Sequence, residues 1–368
     1  MRIYTITTQF ANNMGAILQC YALSRFLNKQ EGIECEVINY FPKRWKDGWV
    51  IFPKPESFRD VIKSLYDLFN VPGLIRWRKK NNLTKRFISK HIPLTKEAYY
   101  SEESICINPP LADAYICGSD QIWNFTLFQD PVYFLSFTKN IKNCKRIAYA
   151  PSIADDWTAE QEKIVGPYLE LFDNLSIREV GNLPQIKRLT SKDVKVVIDP
   201  VFLLKVEDWN SIHTDFDIEE PFLLCYFLSV SDLSLKAVKK MKELTGLKIV
   251  YLNHNTLDKL NSDIEIRDFD PAKFVTAISK ATYVCTNSFH CSAFSIIYKK
   301  NFMFVPGMRN KRVENLQELF GLGNRLLSED RLDNLTLSDL EVDYTKGSEK
   351  GCSFINESKT YLLSSLKS

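Results

Sequence analysis

No two of the nine cysteines in this 368-residue chain form a C-x-x-C pair, and none sits at a Cys/His metal-ligand spacing. That excludes a zinc finger or ribbon and a thioredoxin-type redox pair, and no metal is expected. Cys20, Cys35, Cys117, Cys225 and Cys285 fall inside apolar periodic segments, where a free thiol acts as a small core residue. The odd cysteine count, and a first segment RIYTI that reads as a strand and not a signal peptide, point to a reducing cytoplasm. No apolar run reaches the length of a bilayer-spanning helix. Thirteen glycines and fifteen prolines are too few for a collagenous or low-complexity chain. Histidine is scarcer still, at four residues.

What is present reads as an ordinary globular protein, 45% hydrophobic and 25% charged. The length exceeds what one hydrophobic core usually supports, so two domains are expected. The net charge of +3 argues against a nucleic-acid partner. It conceals an asymmetry. Residues 43–90 hold 13 Lys and Arg against 4 acids, a local +9 that leaves −6 for the remainder.

The first forty residues read strand, turn, helix, strand: a run at 2–6, apolar positions Ile17, Leu18, Tyr21, Ala22 and Leu27 at helical spacing, then 34–40. This βαβ opening implies a parallel sheet. Seven prolines and the basic block then interrupt the pattern, with helices expected near 57–69 and 73–90; we read 41–110 as a helical insertion outside the sheet. Alternation resumes with strands at 113–117, 146–150, 174–178 and 194–198. A second α/β unit starts at Pro221, where FLLCYFL is a continuous apolar run suited to a strand buried on both faces. Asp270-Pro271 is an N-cap and N1 pair opening a helix to 280. The expected architecture is α/β, with two Rossmann-like domains facing a cleft. The first spans 1–205 with the insertion, the second 206–345, and a helix within 346–368 packs back on the first.

Ligands of such sheets bind at the carboxyl ends of strands, where helix N-termini converge. Four segments qualify. Asn12, Asn13 and Gly15 open the first helix, where backbone N–H groups either meet an anion or merely cap a turn. Gly118, Ser119, Asp120, Gln121 and Trp123 follow a strand. Asp120 could orient or deprotonate a hydroxyl, or cap the next segment with Trp123 in the core. Arg178 ends an apolar strand and suits a carboxylate or phosphate. Neighbours in a strand face opposite sides, so Arg178 and Glu179 are expected to find separate partners. His290 follows Thr286-Asn287-Ser288-Phe289 at a strand-to-helix junction. It either serves a phosphate or a proton transfer, or is a core histidine.

These segments in this order resemble the polysaccharide pyruvyl transferase family. The resemblance rests on NNMGAILQCYALSRFL (12–27), CGSDQIWN (117–124), YFLSF (133–137), RIAYAPS (146–152), LSIRE (175–179), VVIDP (196–200) and TNSFHCSAFSIIYKKNF (286–302). It implies transfer of pyruvate from phosphoenolpyruvate onto two hydroxyls of a sugar as a cyclic ketal, commonly a 4,6-ketal on galactose or a related hexose. It also implies surface polysaccharide biosynthesis on a lipid-linked acceptor, a fold similar to GT-B glycosyltransferases, and no cofactor beyond the donor. By the same resemblance Arg178 holds phosphoenolpyruvate, and His290 contacts its phosphate and serves as acid. Family members often carry Arg two residues before that His, where this chain has Ser288. Arg309, Lys311 and Arg312 are candidate substitutes, or a solvated helix start.

Two other readings stay open. One is a GT-B glycosyltransferase using a nucleotide-sugar. The other is a non-catalytic sugar-binding member, a reading that the Ser288 departure keeps open. The basic block has two readings as well. Phe58, Val61, Ile62, Leu65, Leu68 and Phe69 beside the 76–80 cations could place residues 57–90 peripherally on an anionic membrane face. Alternatively, the stripe packs on its own domain and the charges are solvated.

Overall fold

A computed structural model describes residues 1–11, 13–42, 71–218, 221–254, 259–307 and 311–367. They fall into two compact units, Met1–Leu204 with Phe354–Ser368 and Lys205–Ser353.

The first unit is built on a five-stranded parallel sheet. Its strands are β1 (Arg2–Ile6), β2 (Glu34–Tyr40), β3 (Leu94–Tyr99), β4 (Ala114–Cys117) and β5 (Lys145–Ala148), in the order β3-β2-β1-β4-β5. The apolar runs dictate the centre. All four residues of β4 are buried, as are the last four of β1, because helices cover both faces of a parallel sheet. Strands β6 (Leu175–Ile177) and β7 (Val194–Val196) pair with each other, and Asn174 bridges to Ile147 of β5. The strand order reverses between β1 and β4, which places the switch-point crevice there.

Helix α1 (Met14–Asn28) crosses from β1 to β2. The expected insertion at 41–110 is corrected. Residues 94–99 form the edge strand of the sheet, pairing parallel with β2 from Val37↔Leu94 to Tyr40↔Tyr99. Its interior positions Lys96 and Glu97 are exposed, so the apolar pattern that marks a central strand is missing. The helix expected at 57–69 lies outside the described residues. Helix α2 (Val71–His91) buries Phe87 and Ile88, and the Phe87 ring meets Tyr21 of α1 at 6.0 Å. Its cations Arg78, Lys79, Lys85, Arg86 and Lys90 are exposed. Helix α3 (Ala159–Leu169) starts at a Thr158/Gln161 capping box.

The second unit repeats the plan. Strands β8 (Phe222–Phe227), β9 (Lys248–Asn253), β10 (Ile264–Ile266), β11 (Tyr283–Thr286) and β12 (Asn301–Phe304) run parallel in the order β10-β9-β8-β11-β12. Every residue of β8 is buried. Helices α4 (Asp232–Thr245), α5 (Pro271–Lys280), α6 (Phe289–Ile297) and α7 (Lys311–Leu319) connect or follow them. Asp270 caps α5 by accepting from Lys273 N at 2.8 Å. The last helix, α8 (Ser348–Lys367), contributes its residues from Phe354 onward to the first unit. There Ser358 Oγ accepts from Ile198 N at 3.0 Å, and the Tyr361 hydroxyl donates to Ala148 O at 3.2 Å.

All nine cysteines are free, and only Cys106 and Cys352 are exposed. Burial pushes the Cys35 and Cys291 thiols up to about 12, which suppresses the reactive thiolate. Iodoacetamide at pH 8 should therefore label Cys106 and Cys352 in the native protein and spare the buried set. Peptide mass mapping reads the outcome, and early labelling of Cys20 or Cys285 would contradict this packing. Among the described residues, no helix is long and apolar enough to cross a membrane.

Candidate functional site

The switch point of the first unit is assembled by hydrogen bonds between strand ends. Gln19 of α1 donates to Thr7 Oγ1 at 2.9 Å, and Thr7 Oγ1 donates to Ser119 O at 2.7 Å. Thr8 Oγ1 donates to Asp120 Oδ2 at 2.8 Å. Gly118 allows this close approach: a Cβ there would meet Leu23 Cδ2 at 3.3 Å and Ile6 O at 3.4 Å. Asp120 itself holds φ +79°, a left-handed conformation that costs a non-glycine residue about 1–3 kcal/mol. It is maintained by Ser152 N, which donates to Asp120 O at 2.8 Å. Strain of this sort collects at functional sites, and Asp120 sits at the end of β4 where the topology puts the crevice.

Arg178 meets this loop. Its Nη1 donates to Asp199 Oδ2 at 2.7 Å and to Ser119 Oγ at 3.5 Å, while its Nε donates to Glu179 Oε1 at 2.9 Å. The three side chains are buried, at 5% exposure for Arg178, 8% for Glu179 and none for Asp199. Burial by itself disfavours the protonated guanidinium, but Glu179, Asp199 and Asp120 outweigh it and raise Arg178 above its ordinary value. Arg178 is thus a fixed positive charge among three carboxyl groups. The direct Arg178–Glu179 pair corrects the expectation of separate partners. Both residues lie beyond Ile177, the last residue of β6, so strand alternation does not govern them.

The other residues singled out in this unit divide. Asn13 caps α1, its Oδ1 accepting from Gly15 N at 2.9 Å and Ala16 N at 3.4 Å, and Gly15 is buried within the helix. Asn12 lies outside the described residues. Gln121 is partly buried, its Oε1 accepting from Asn124. Trp123 is fully buried, stacked on Phe134 at 5.0 Å, with its Nε1 donating to Tyr133 O; it is a core residue.

Sequence reasoning passed over Thr7, Thr8 and Asp199. The signal for Asp199 was available. Asp199-Pro200 is the same cap-and-N1 pair as Asp270-Pro271, and Asp199 Oδ1 accepts from Val201 N at 3.1 Å.

In the second unit the switch point lies between β8 and β11. Asn287 stitches it, its Oδ1 accepting from Leu228 N at 2.7 Å and its Nδ2 donating to Ser229 O at 2.8 Å. Ser288 is the N-cap of α6, accepting from Cys291 N at 3.4 Å, which gives a physical reason for serine at this position. His290 stands in the first turn of α6, 7% exposed, with its ring edge-on to Phe289 at 5.0 Å. The positive end of the helix favours an anion beside it. Arg312 lies over the Phe289 ring, 5.2 Å from its centroid. Lys311 is exposed at the start of α7, and Arg309 lies outside the described residues. Among the described residues no cluster of His, Cys, Asp and Glu could hold a metal ion.

Each unit therefore carries polar residues at the carboxyl ends of its strands. The open concavity lined by Met1, Arg2, Glu34 and Asp113 carries none of them.

The chain is similar in fold to UDP-GlcNAc 2-epimerase from Methanocaldococcus jannaschii, at 14% identity and TM-score 0.51, covering 98% of this chain and 100% of that one. It is also similar to S. aureus MnaA in a co-structure with UDP, at 13% identity and TM-score 0.53, covering 100% and 98%. UDP-N-acetylglucosamine 2-epimerase from Rickettsia bellii matches at 13% identity and TM-score 0.50, covering 100% and 97%. The shared feature is the GT-B-like pairing of Rossmann-like α/β units. No curated protein matches the sequence. The family model for polysaccharide pyruvyl transferase matches residues 13–306, taking in Asp120, Arg178, Asp199 and His290, and the chain belongs to the polysaccharide pyruvyl transferase family.

Proposed function

We propose that the protein transfers the pyruvyl group of phosphoenolpyruvate onto two hydroxyls of a hexose, as a 4,6-ketal on galactose or a related sugar. The acceptor would be a lipid-linked oligosaccharide of a bacterial surface polysaccharide. The observation that carries this reading is a permanently charged, buried Arg178 at the switch point of a chain in this family.

The reaction balances without an oxidant or a further cofactor. Both acceptor hydroxyls lose a proton. One proton ends on C3, converting the methylene to a methyl, and one ends on the departing phosphate. Two C2–O bonds form, and the C2–O bond to phosphate and the C2–C3 π bond are lost. In this reading Arg178 binds the anionic donor, His290 supplies a proton to the leaving phosphate, and Asp120 orients an acceptor hydroxyl. Each positioned acid or base is worth about 10²–10⁴-fold. A lipid carrier would bring the enzyme to the inner membrane face. The exposed cations of α2 support electrostatic contact there, whereas Phe87 and Ile88 are spent on the protein's own core.

The test is incubation with phosphoenolpyruvate and a galactose-containing lipid-linked oligosaccharide. Phosphate release with an acceptor gain of pyruvate minus water is the expected result. Binding of UDP by calorimetry, with no response to phosphoenolpyruvate, would instead indicate nucleotide-sugar chemistry. Acceptor binding without turnover under either donor would indicate a non-catalytic member.

A further inference from the structure

The two carboxylates on Arg178 are held very differently. Asp199 is anchored from three sides: its Oδ2 takes Arg178 Nη1 and Ser119 Oγ, and its Oδ1 takes Val201 N. Glu179 is held at one point, by Arg178 Nε on Oε1. Its Oε2 is shielded from solvent and has no hydrogen-bond partner among the described residues. A buried carboxylate oxygen left unsatisfied is costly, and such a group marks a place completed by something else.

The donor must contend with this pair. A bidentate anion needs two adjacent guanidinium nitrogens, and each such pair on Arg178 includes Nε or Nη1. Each of these already donates to a carboxylate. Displacing Asp199 would also break its bonds to Ser119 and Val201. Displacing Glu179 breaks only the bond to Nε.

We propose that Glu179 is a displaceable counter-ion and base. The anionic donor takes its place on Arg178 Nε, and the released carboxylate accepts the proton of the attacking acceptor hydroxyl. The inference rests on the pyruvyl-transfer reading and adds a residue to it. In that step the hydroxyl O–H bond breaks and its proton moves to the Glu179 carboxylate. The oxygen forms a bond to C2 of the donor, whose C3 has been protonated. When the C2–O bond to phosphate breaks with its electron pair, His290 gives the departing phosphate its proton, the second hydroxyl loses its own as the ketal closes, and the two protons shed by the hydroxyls, the first through Glu179, replace those given to the phosphate and to C3. The carboxylate is then restored and can return to Arg178. Donor would bind before acceptor, because the base is masked until the donor arrives.

A latch and a purely structural pair respond in opposite ways to loss of the charge. Glu179→Gln removes the competitor for Arg178, so phosphoenolpyruvate should bind about fivefold more tightly by calorimetry, the order expected for one competing carboxylate in a shielded site. The same variant loses the base, so phosphate release at saturating donor and acceptor should fall at least about a hundredfold. Glu179→Ala should regain about tenfold in rate with added formate, a carboxylate small enough to occupy the vacated place. If Glu179→Gln does not fold, Glu179→Asp takes its part, with tighter donor binding and slower turnover expected. Weaker donor binding in the variants, or turnover at the wild-type rate, would overturn the inference and leave pyruvyl transfer standing. A wild-type protein that neither binds nor turns over phosphoenolpyruvate overturns the parent reading, and that result is obtained before any variant is compared.

Discussion

Arg178→Ala should reduce phosphate release from phosphoenolpyruvate at least about a hundredfold and lower the melting temperature in the same stroke. The two effects have separate causes. Arg178 pairs with Glu179 and Asp199, both nearly or fully buried. Removing one member of a buried ion pair leaves its partner uncompensated, at a cost of about 3–5 kcal/mol. For units of this size that is a fall on the order of 10 °C, read by calorimetric scan. On the proposed pyruvyl transfer, the turnover loss would follow from removing the donor's cation. Arg178→Lys separates them. An ammonium can restore charge opposite Asp199, but it lacks the planar fork that serves two partners at once. Stability should recover in part while turnover stays low. Wild-type turnover in Arg178→Lys would remove Arg178 from the donor site.

His290→Ala should slow phosphate release by at least about a hundredfold. The ring lies in the first turn of α6, edge-on to Phe289. The informative companion is His290→Asn. Asparagine keeps an N–H that can bond to a phosphate oxygen at the helix N-terminus but cannot relay a proton. If His290 is the acid, Asn is as slow as Ala. If it serves only as a hydrogen-bond donor, Asn recovers most of the rate. Near-normal turnover in both variants would exclude His290 from the reaction.

Much of the fold was legible because its signals are local. The buried runs of β4 and β8, the caps Asn13 and Asp270, and the Asp-Pro pair before α5 are all written in short stretches. Strand β3 was not legible, since an edge strand with Lys96 and Glu97 in its interior lacks the apolar pattern that a central strand requires. Among candidate residues, Trp123 illustrates the limit of motif reading. It stands three residues past Asp120, yet the chain turns there and delivers the indole to Phe134 and Tyr133 O.

By itself the sequence determined the family, the two α/β repeats and the strand-end positions of Asp120, Arg178 and His290. Strand and helix periodicity, and turn chemistry, act over a few residues. Only the tertiary structure decided what surrounds Arg178. Glu179 is its chain neighbour beyond β6, whereas Ser119 and Asp120 come from the end of β4 and Asp199 from beyond β7, with 80 residues separating the Ser119–Asp199 pair. Their convergence is set by strand order, parallel register and the βαβ crossovers, and no local pattern encodes those distances. The same holds for the difference between Asp199, anchored from three sides, and Glu179, held by one. Both read in the sequence as an acid after a strand, and only their partners in space separate the anchor from the latch.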